Sequence, residues 1–226
     1  MMRLLYTPSA CSISPHIVLE EIGEPFQAQL VNIKGGETRS EAFLKINPKG
    51  KIPVLVLDDG TVVTENPIIL QLLARTYPHK GLMPANREFE ALQVCEYLTG
   101  TVQNFGLARL LRPGLFCEDE KYWDGVRKEG EKVLEKGFEL IGQRLGRGPF
   151  LFDQFSIADA SLFYFELRAS GLRINLPAVV RSHYDMMRKR PAVLKVLARE
   201  DLNIADFLLE DFDELYDTER YGAPSG

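Results

Sequence analysis

The periodicity of this chain changes at one place, and that change constrains the fold more than any other feature. Before residue 78, short β-rich runs alternate with helix signals; after residue 87, the apolar pattern repeats at helical spacing with few strand signals. Between the two lie Pro78 to Arg87, with two prolines and a glycine. The expected organisation is an α/β domain over 1–77, a linker over 78–87 and an all-helical domain over 88–226. No internal repeat is evident.

The first part reads β-α-β-α-β-β-α. Arg3 to Tyr6 is a short apolar strand. Ser14-Pro15 opens a helix as N-cap and first helical residue, and Gly23 stops it. Phe26, Ala28 and Leu30 alternate with polar residues, as a strand would, and Ser40 to Ile46 suggests a short helix. Two β-rich runs flank Asp58-Asp59-Gly60 and predict a hairpin. Asn66 and Pro67 then give a second N-cap and first-turn proline for a helix ending near Tyr77. The helical part predicts helices over 88–110, 118–145, 156–170, 177–189 and 191–199. The longest contains Gly125, Gly130, Gly137 and Gly142, which points to close helix packing or a kink, because each costs roughly 1 kcal/mol relative to alanine. Beyond Glu200 the chain becomes an acidic tail, expected to fray or to lie across a neighbouring surface.

Composition narrows the function classes. With 226 residues, 45% of them hydrophobic, the chain can bury a substantial core. A net charge of -5 argues against a nucleic-acid partner. Three cysteines, Cys11, Cys95 and Cys117, do not form a disulfide framework and suggest a reducing compartment. No apolar run approaches the roughly 18 residues of a membrane span, and Pro8 interrupts the N-terminus too early for a signal peptide. The expectation is a cytoplasmic protein with no membrane partner and no metal site.

The most distinctive segment is Asn47-Pro48-Lys49-Gly50-Lys51-Ile52-Pro53-Val54-Leu55, followed by Asp58-Asp59-Gly60 and Thr64-Glu65-Asn66. A second signature, Phe155-Ser156-Ile157-Ala158-Asp159-Ala160, lies in the helical half, where Ser156 and Asp159 make a capping-box-like, fold-defining pair. Together they resemble the glutathione S-transferase superfamily over nearly the whole chain. Tyr6-Thr7-Pro8-Ser9-Ala10-Cys11-Ser12 followed by Ser14-Pro15-His16 looks like its bacterial beta class. The resemblance implies a thioredoxin-like N-terminal domain, a helical-bundle C-terminal domain, glutathione as co-substrate and a homodimer. The implied activity joins the glutathione thiolate to an apolar electrophile, in a detoxifying role.

For glutathione, the resemblance implies a cis Ile52-Pro53 bond whose preceding residue pairs with the cysteinyl backbone in the manner of strand addition. Glu65 is the candidate partner of the γ-glutamyl ammonium, and Asn66 and the adjoining helix end that of its carboxylate. Lys34 and Lys51 are candidates for the glycyl carboxylate.

At the sulfur end, Cys11 precedes a helix N-terminus, which is expected to lower its pKa. Ser12 is a candidate hydrogen-bond donor to a thiolate, and Tyr6 a third, although core packing suits Tyr6 better. The beta class carries a histidine in the first helix of the second domain; this chain has only His16, His79 and His183, and reads Gln103-Asn104-Phe105 there. Thr99, Gln103 and Asn104 are candidates contributed by a partner subunit. Phe105, Leu107, Leu110, Leu111, Tyr122 and Trp123 are candidates for the electrophile wall. Two rival readings remain open: a thiol-disulfide oxidoreductase in which Cys11 cycles through a mixed disulfide, and a non-catalytic glutathione-binding stress protein. Conjugation is preferred slightly, with Ser12 as the more important donor.

Overall fold

The computed structural model describes residues 1–146 and 148–202. Chain order gives β1 (Arg3–Tyr6), α1 (Ile13–Ile22), β2 (Gln27–Leu30), α2 (Glu41–Ile46), β3 (Val54–Val56), β4 (Val62–Thr64) and α3 (Asn66–Thr76). The helical half continues with α4 (Glu88–Glu96), a π-helical stretch (Tyr97–Leu107), α5 (Ala108–Leu111), α6 (Trp123–Leu145), α7 (Ile157–Gly171), α8 (Ala178–Met187) and α9 (Pro191–Arg199). The acidic tail lies outside the described residues from 203 onward.

The sheet order is β2-β1-β3-β4, with β1 parallel to β2, antiparallel to β3, and β3 antiparallel to β4. Alternation along the strands divides the core. Leu4, Tyr6 and Leu55 join the large core that includes Ile17 of α1 and Ile69 of α3, whereas Leu5 and Val54 pack with Phe43 of α2. Both faces of the sheet are therefore covered, as a thioredoxin-like unit requires. Packed against α1 lies α7, whose residues from Ile157 to Ala169 are all buried, including Asp159, Glu166 and Arg168; a helix buried on every face belongs at a domain centre.

Local chemistry sets most boundaries. Ser40 accepts from the Phe43 N–H, and Gly23 adopts φ 77° while returning its N–H to the Leu19 carbonyl. The capping box forms: Asp159 accepts from the Ser156 N–H, and the Ser156 hydroxyl caps the first turn. Two N-caps sit earlier than the sequence suggested. Ser12 occupies the N-cap position of α1, which places Ser14 and Pro15 inside the first turn, and Glu65 that of α3, which makes Asn66 its first residue; neither side chain makes a capping hydrogen bond. The helix expected from residue 118 begins at Trp123, because Asp119 accepts from the Lys121 N–H and closes a 3-10 turn first.

The glycines of α6 serve close packing. A Cβ on Gly130 would lie 2.8 Å from the Gly106 carbonyl oxygen, and one on Gly137 would lie 2.9 Å from Val102 Cγ2. Gly142 packs on α8 through Val179, while Gly125 faces open space.

Candidate functional site

The chain leaves β1 into a turn over residues 7–12 that is tied down from several directions. Thr7 Oγ1 donates to the Val31 carbonyl at 2.6 Å. Ser12 Oγ accepts from the Thr7 N–H at 3.2 Å and donates to the Thr7 carbonyl at 3.1 Å. Ser9, with φ 57°, is held on both sides of its backbone: its N–H donates to Glu200 Oε2 at 3.2 Å, and its carbonyl accepts from Arg168 at 3.5 Å. Glu200 in turn meets His16 Nδ1 at 2.7 Å, and Arg199 meets the other ring nitrogen at 3.3 Å. His16, on the first turn of α1, is thus a buried residue that braces the turn through Glu200.

Cys11 lies on this turn, half-buried, where four segments meet. Its Sγ donates to the Ile52 carbonyl at 3.8 Å, and its own carbonyl accepts from Asn66 Nδ2 at 3.3 Å. From the helical half, the Gln103 side chain and the positive charges of Arg112 and Arg168 all favour the Cys11 thiolate. Burial nevertheless dominates and pushes the Cys11 thiol above its ordinary value, with Gln103 and the arginines pulling it back only in part. The lowering expected from the helix N-terminus is corrected in direction: dehydration outweighs it.

Two other sulfur-end expectations change. Ser12 is fully buried, and its hydroxyl both donates and accepts within the turn, so it does not reach towards a sulfur. Gln103, a candidate for the partner-subunit contribution, acts on Cys11 of its own chain. Tyr6 packs in the core at 5.0 Å from the His16 ring, and burial raises its phenol. Cys95 is buried, its thiol pushed up to about 12 by desolvation.

The glutathione-binding candidates lie around Cys11. Ile52-Pro53 is cis, with Ile52 half-buried and its carbonyl on the Cys11 thiol. Glu65 has φ 71° and an exposed side chain, paired at 2.5 Å with Lys49 Nζ, which also donates to Thr64 Oγ1 at 2.6 Å. Lys49 is a residue that sequence reasoning passed over in favour of Lys51; both are exposed lysines of the same loop, and no local signal separates them. Lys34 is exposed on the loop after β2. Asn66 is buried, and its Oδ1 has no hydrogen-bond partner, an acceptor two bonds away from the amide that holds the Cys11 carbonyl.

The candidates for the electrophile wall differ in exposure and in what they touch. Leu107 is buried in the core, and Leu110 abuts α6 at Gly130. Trp123 donates its indole N–H to the Cys117 carbonyl at 2.9 Å. Leu111 packs at the core's edge. Phe105 and Tyr122 are exposed. Of the remaining partner-subunit candidates, Thr99 donates its hydroxyl to the Cys95 carbonyl at 2.9 Å, and Asn104 is exposed. Among the described residues, no helix is long and apolar enough to cross a membrane, and no group of three or more His, Cys, Asp or Glu could hold a metal ion.

Comparison with known proteins joins this geometry to a family. Residues 8–76 match the glutathione S-transferase N-terminal domain, and residues 124–199 the glutathione S-transferase C-terminal domain. The chain is 32% identical to glutathione S-transferase GstA of Escherichia coli O157:H7, over 89% of this chain and the whole of that one. It superposes on a glutathione transferase homologue from Sulfitobacter with bound glutathione at a TM-score of 0.80 and 25% identity, covering 88% of this chain and 98% of the other. It superposes on the bacterial beta class enzyme of Sphingomonas chungbukensis at a TM-score of 0.75 and 25% identity, covering 89% and 100%. A thioredoxin-like unit with its cysteine turn facing a cis-proline loop, followed by a helical bundle, and relatives that match over most of its length, place the chain in the glutathione S-transferase family, with glutathione as its co-substrate.

Proposed function

We propose that the protein conjugates glutathione to an apolar electrophile, with Cys11 acting as a hydrogen-bond donor to the glutathione thiolate. The carrying observation is the Cys11 thiol itself, which burial pushes upward and which already donates, to the Ile52 carbonyl. A thiol that holds its proton near neutrality is a poor nucleophile but a serviceable donor to another sulfur's negative charge. Glutathione would lie along Ile52, with its γ-glutamyl end towards Glu65 and the Asn66 amide. Lys49, Lys51 and Lys34 supply positive charge for its carboxylates. Ser12 supports the turn in this reading rather than touching the sulfur.

We further propose a division into domains at 78–87 and a homodimeric, cytoplasmic, detoxifying enzyme. The exposed Ile68 on α3 and Phe89 on α4 support an apolar contact between copies, to which Thr99 and Asn104 remain candidate contributors. Light scattering that finds only monomer at micromolar concentration would argue against the dimer.

The rival reading, disulfide exchange through a Cys11 mixed disulfide, draws on Gln103, Arg112 and Arg168, all of which favour the thiolate. Cys11→Ala and Cys11→Ser, assayed on an aryl halide and on a glutathione mixed disulfide, separate the two. Conjugation with Cys11 as donor loses about ten- to hundredfold in Cys11→Ala, the worth of one hydrogen bond to a charged group, and recovers in Cys11→Ser. Loss of disulfide reduction in both variants, with aryl-halide conjugation never detected in any form, would establish the rival.

A further inference from the structure

Lys49 and Glu65 reach towards each other from two segments, and each is placed by its own backbone. The Lys49 side is set by Asn47, which is buried. The Asn47 amide donates to the Lys51 carbonyl at 2.6 Å, its Oδ1 accepts from the Lys49 N–H at 3.2 Å, and its backbone carbonyl accepts from the Gly50 N–H at 3.0 Å. The loop that leads into the cis Ile52-Pro53 bond is thereby closed around one buried side chain. On the other side, Glu65 stands between β4 and α3 with φ 71°, a region that residues with a Cβ seldom enter.

Between them the Lys49 ammonium meets Glu65 Oε1 at 2.5 Å and donates to Thr64 Oγ1 at 2.6 Å. Both side chains are exposed, so a ligand can reach the pair, and an exposed pair is weak enough to be exchanged. Among the described residues Lys49 is the one cation paired with Glu65, and Lys51, two residues on, pairs with no carboxylate. In the proposed placement of glutathione a second ammonium, that of the γ-glutamyl end, goes to the same carboxylate. A carboxylate already neutralised by one ammonium attracts another less strongly than a bare one does.

We propose that Lys49 is a specificity-determining residue, a stand-in for the γ-glutamyl ammonium that lowers what the ligand's own amino group contributes to binding. The inference rests on the placement of the γ-glutamyl end at Glu65. A ligand with its amino group keeps Glu65 paired by displacing Lys49. A ligand without one leaves Lys49 where it is, so Glu65 never stands as a bare negative charge beside the ligand's carboxylates. The site therefore tolerates γ-acyl tripeptides that lack the free amine better than Glu65 alone would allow.

The test is calorimetry with glutathione and with glutaryl-cysteinylglycine, in which hydrogen replaces the γ-glutamyl amino group. The readout is the dissociation constant of the analogue divided by that of glutathione. In Lys49→Met this ratio rises by about two- to fivefold, the worth of an exposed ion pair. Lys49→Arg, which keeps the charge, keeps the ratio of the unaltered protein. Lys51→Met removes the same charge from the same loop without touching Glu65, and leaves the ratio as it was. Glu65→Gln brings the ratio down, because the amino group loses its partner. A ratio unchanged or lowered in Lys49→Met, or raised as much in Lys51→Met, would overturn the inference and leave glutathione at Glu65. A Glu65→Gln protein with the full ratio would instead remove the γ-glutamyl end from Glu65 and overturn that placement together with this inference.

Discussion

Glu200→Ala tests whether the Cys11 turn is held from the far end of the chain. Glu200 is buried, with Oε1 at 2.7 Å from His16 Nδ1 and Oε2 at 3.2 Å from the Ser9 N–H. Arg199 can only donate, so His16 Nε2 accepts from it and Nδ1–H donates to Glu200, a tautomer assigned from the network. Truncation strands two buried donors, at about 1–3 kcal/mol each. Burial raises the Glu200 carboxyl above its ordinary value, so the folded protein also sheds a dehydration cost when the carboxylate is removed. The net loss is then roughly 2–4 kcal/mol, which at about 2–4 °C per kcal/mol for a chain of this size lowers the melting temperature by roughly 5–15 °C. Thermal melting by circular dichroism measures it. Ser9 stands two residues before Cys11, so the same variant should alkylate faster at Cys11 with iodoacetamide under native conditions. A melting temperature within about 2 °C of the unaltered protein, with unchanged alkylation, would refute the idea that Glu200 holds the turn.

Two further predictions concern the helical half. The His183 ring is buried against Glu166 at 2.7 Å and Asp159 at 3.2 Å; burial alone would lower its pKa, but the two carboxylates raise it to about 9. Since the folded value lies above the ordinary 6.5, its contribution is full below about pH 6.5 and is lost as pH rises through about 9, on the order of 3 kcal/mol. Urea melts at the two pH values should show this, and His183→Gln should flatten the difference; an equal pH slope in both proteins would remove His183 as its source. In α6, Gly130→Ala should destabilise by about 1–3 kcal/mol, because the backbone carbonyl of Gly106 cannot yield, whereas Gly125→Ala, with open space around it, should stabilise by up to about 1 kcal/mol. Chemical denaturation giving both substitutions the same sign would contradict the packing role of Gly130.

The parts of the fold that were legible in the sequence rest on short-range rules. Gly23 after an apolar run, Ser40 before a short helix, the Asp-Gly turn between two β-rich runs and the Ser156 to Asp159 box act within a few residues, so a local reading recovers them. The N-caps of α1 and α3 slipped because a serine or asparagine next to a proline imitates a cap, while Ser12 and Glu65 hold that position without any side-chain capping bond for a local reading to find. The site was legible only where a motif spans it, at Ile52-Pro53 and Glu65-Asn66. The grip on Ser9 comes from Glu200 and Arg168, 191 and 159 residues away, and no periodicity reports a contact of that range. Lys49 and Lys51 share a loop and a charge, and only the backbone path decides which one meets Glu65.

The identity of the residue at position 103 bears directly on the proton chemistry near Cys11. A histidine could exchange a proton with a neighbouring sulfur near pH 7, whereas an amide can only donate or accept a hydrogen bond. With Gln103 on the thiol, the proton of Cys11 has no titrating neighbour at that contact to take it, and burial keeps it in place. In the proposed reaction, glutathione then receives no help towards its thiolate from a base at this contact, while Arg112 and Arg168, which favour a thiolate at Cys11, add positive charge nearby. Rate should therefore follow the ionisation of the glutathione thiol itself. In Gln103→Ala, loss of the donor raises the Cys11 thiol further, while Gln103→His introduces a group titrating near pH 6.5. A pH–rate profile of conjugation that gains a new inflection in Gln103→His, and has none near that pH in the unaltered protein, is the expected outcome. An inflection near pH 6.5 that is already present and survives in Gln103→Ala would place the base elsewhere and sink this account of the sulfur site.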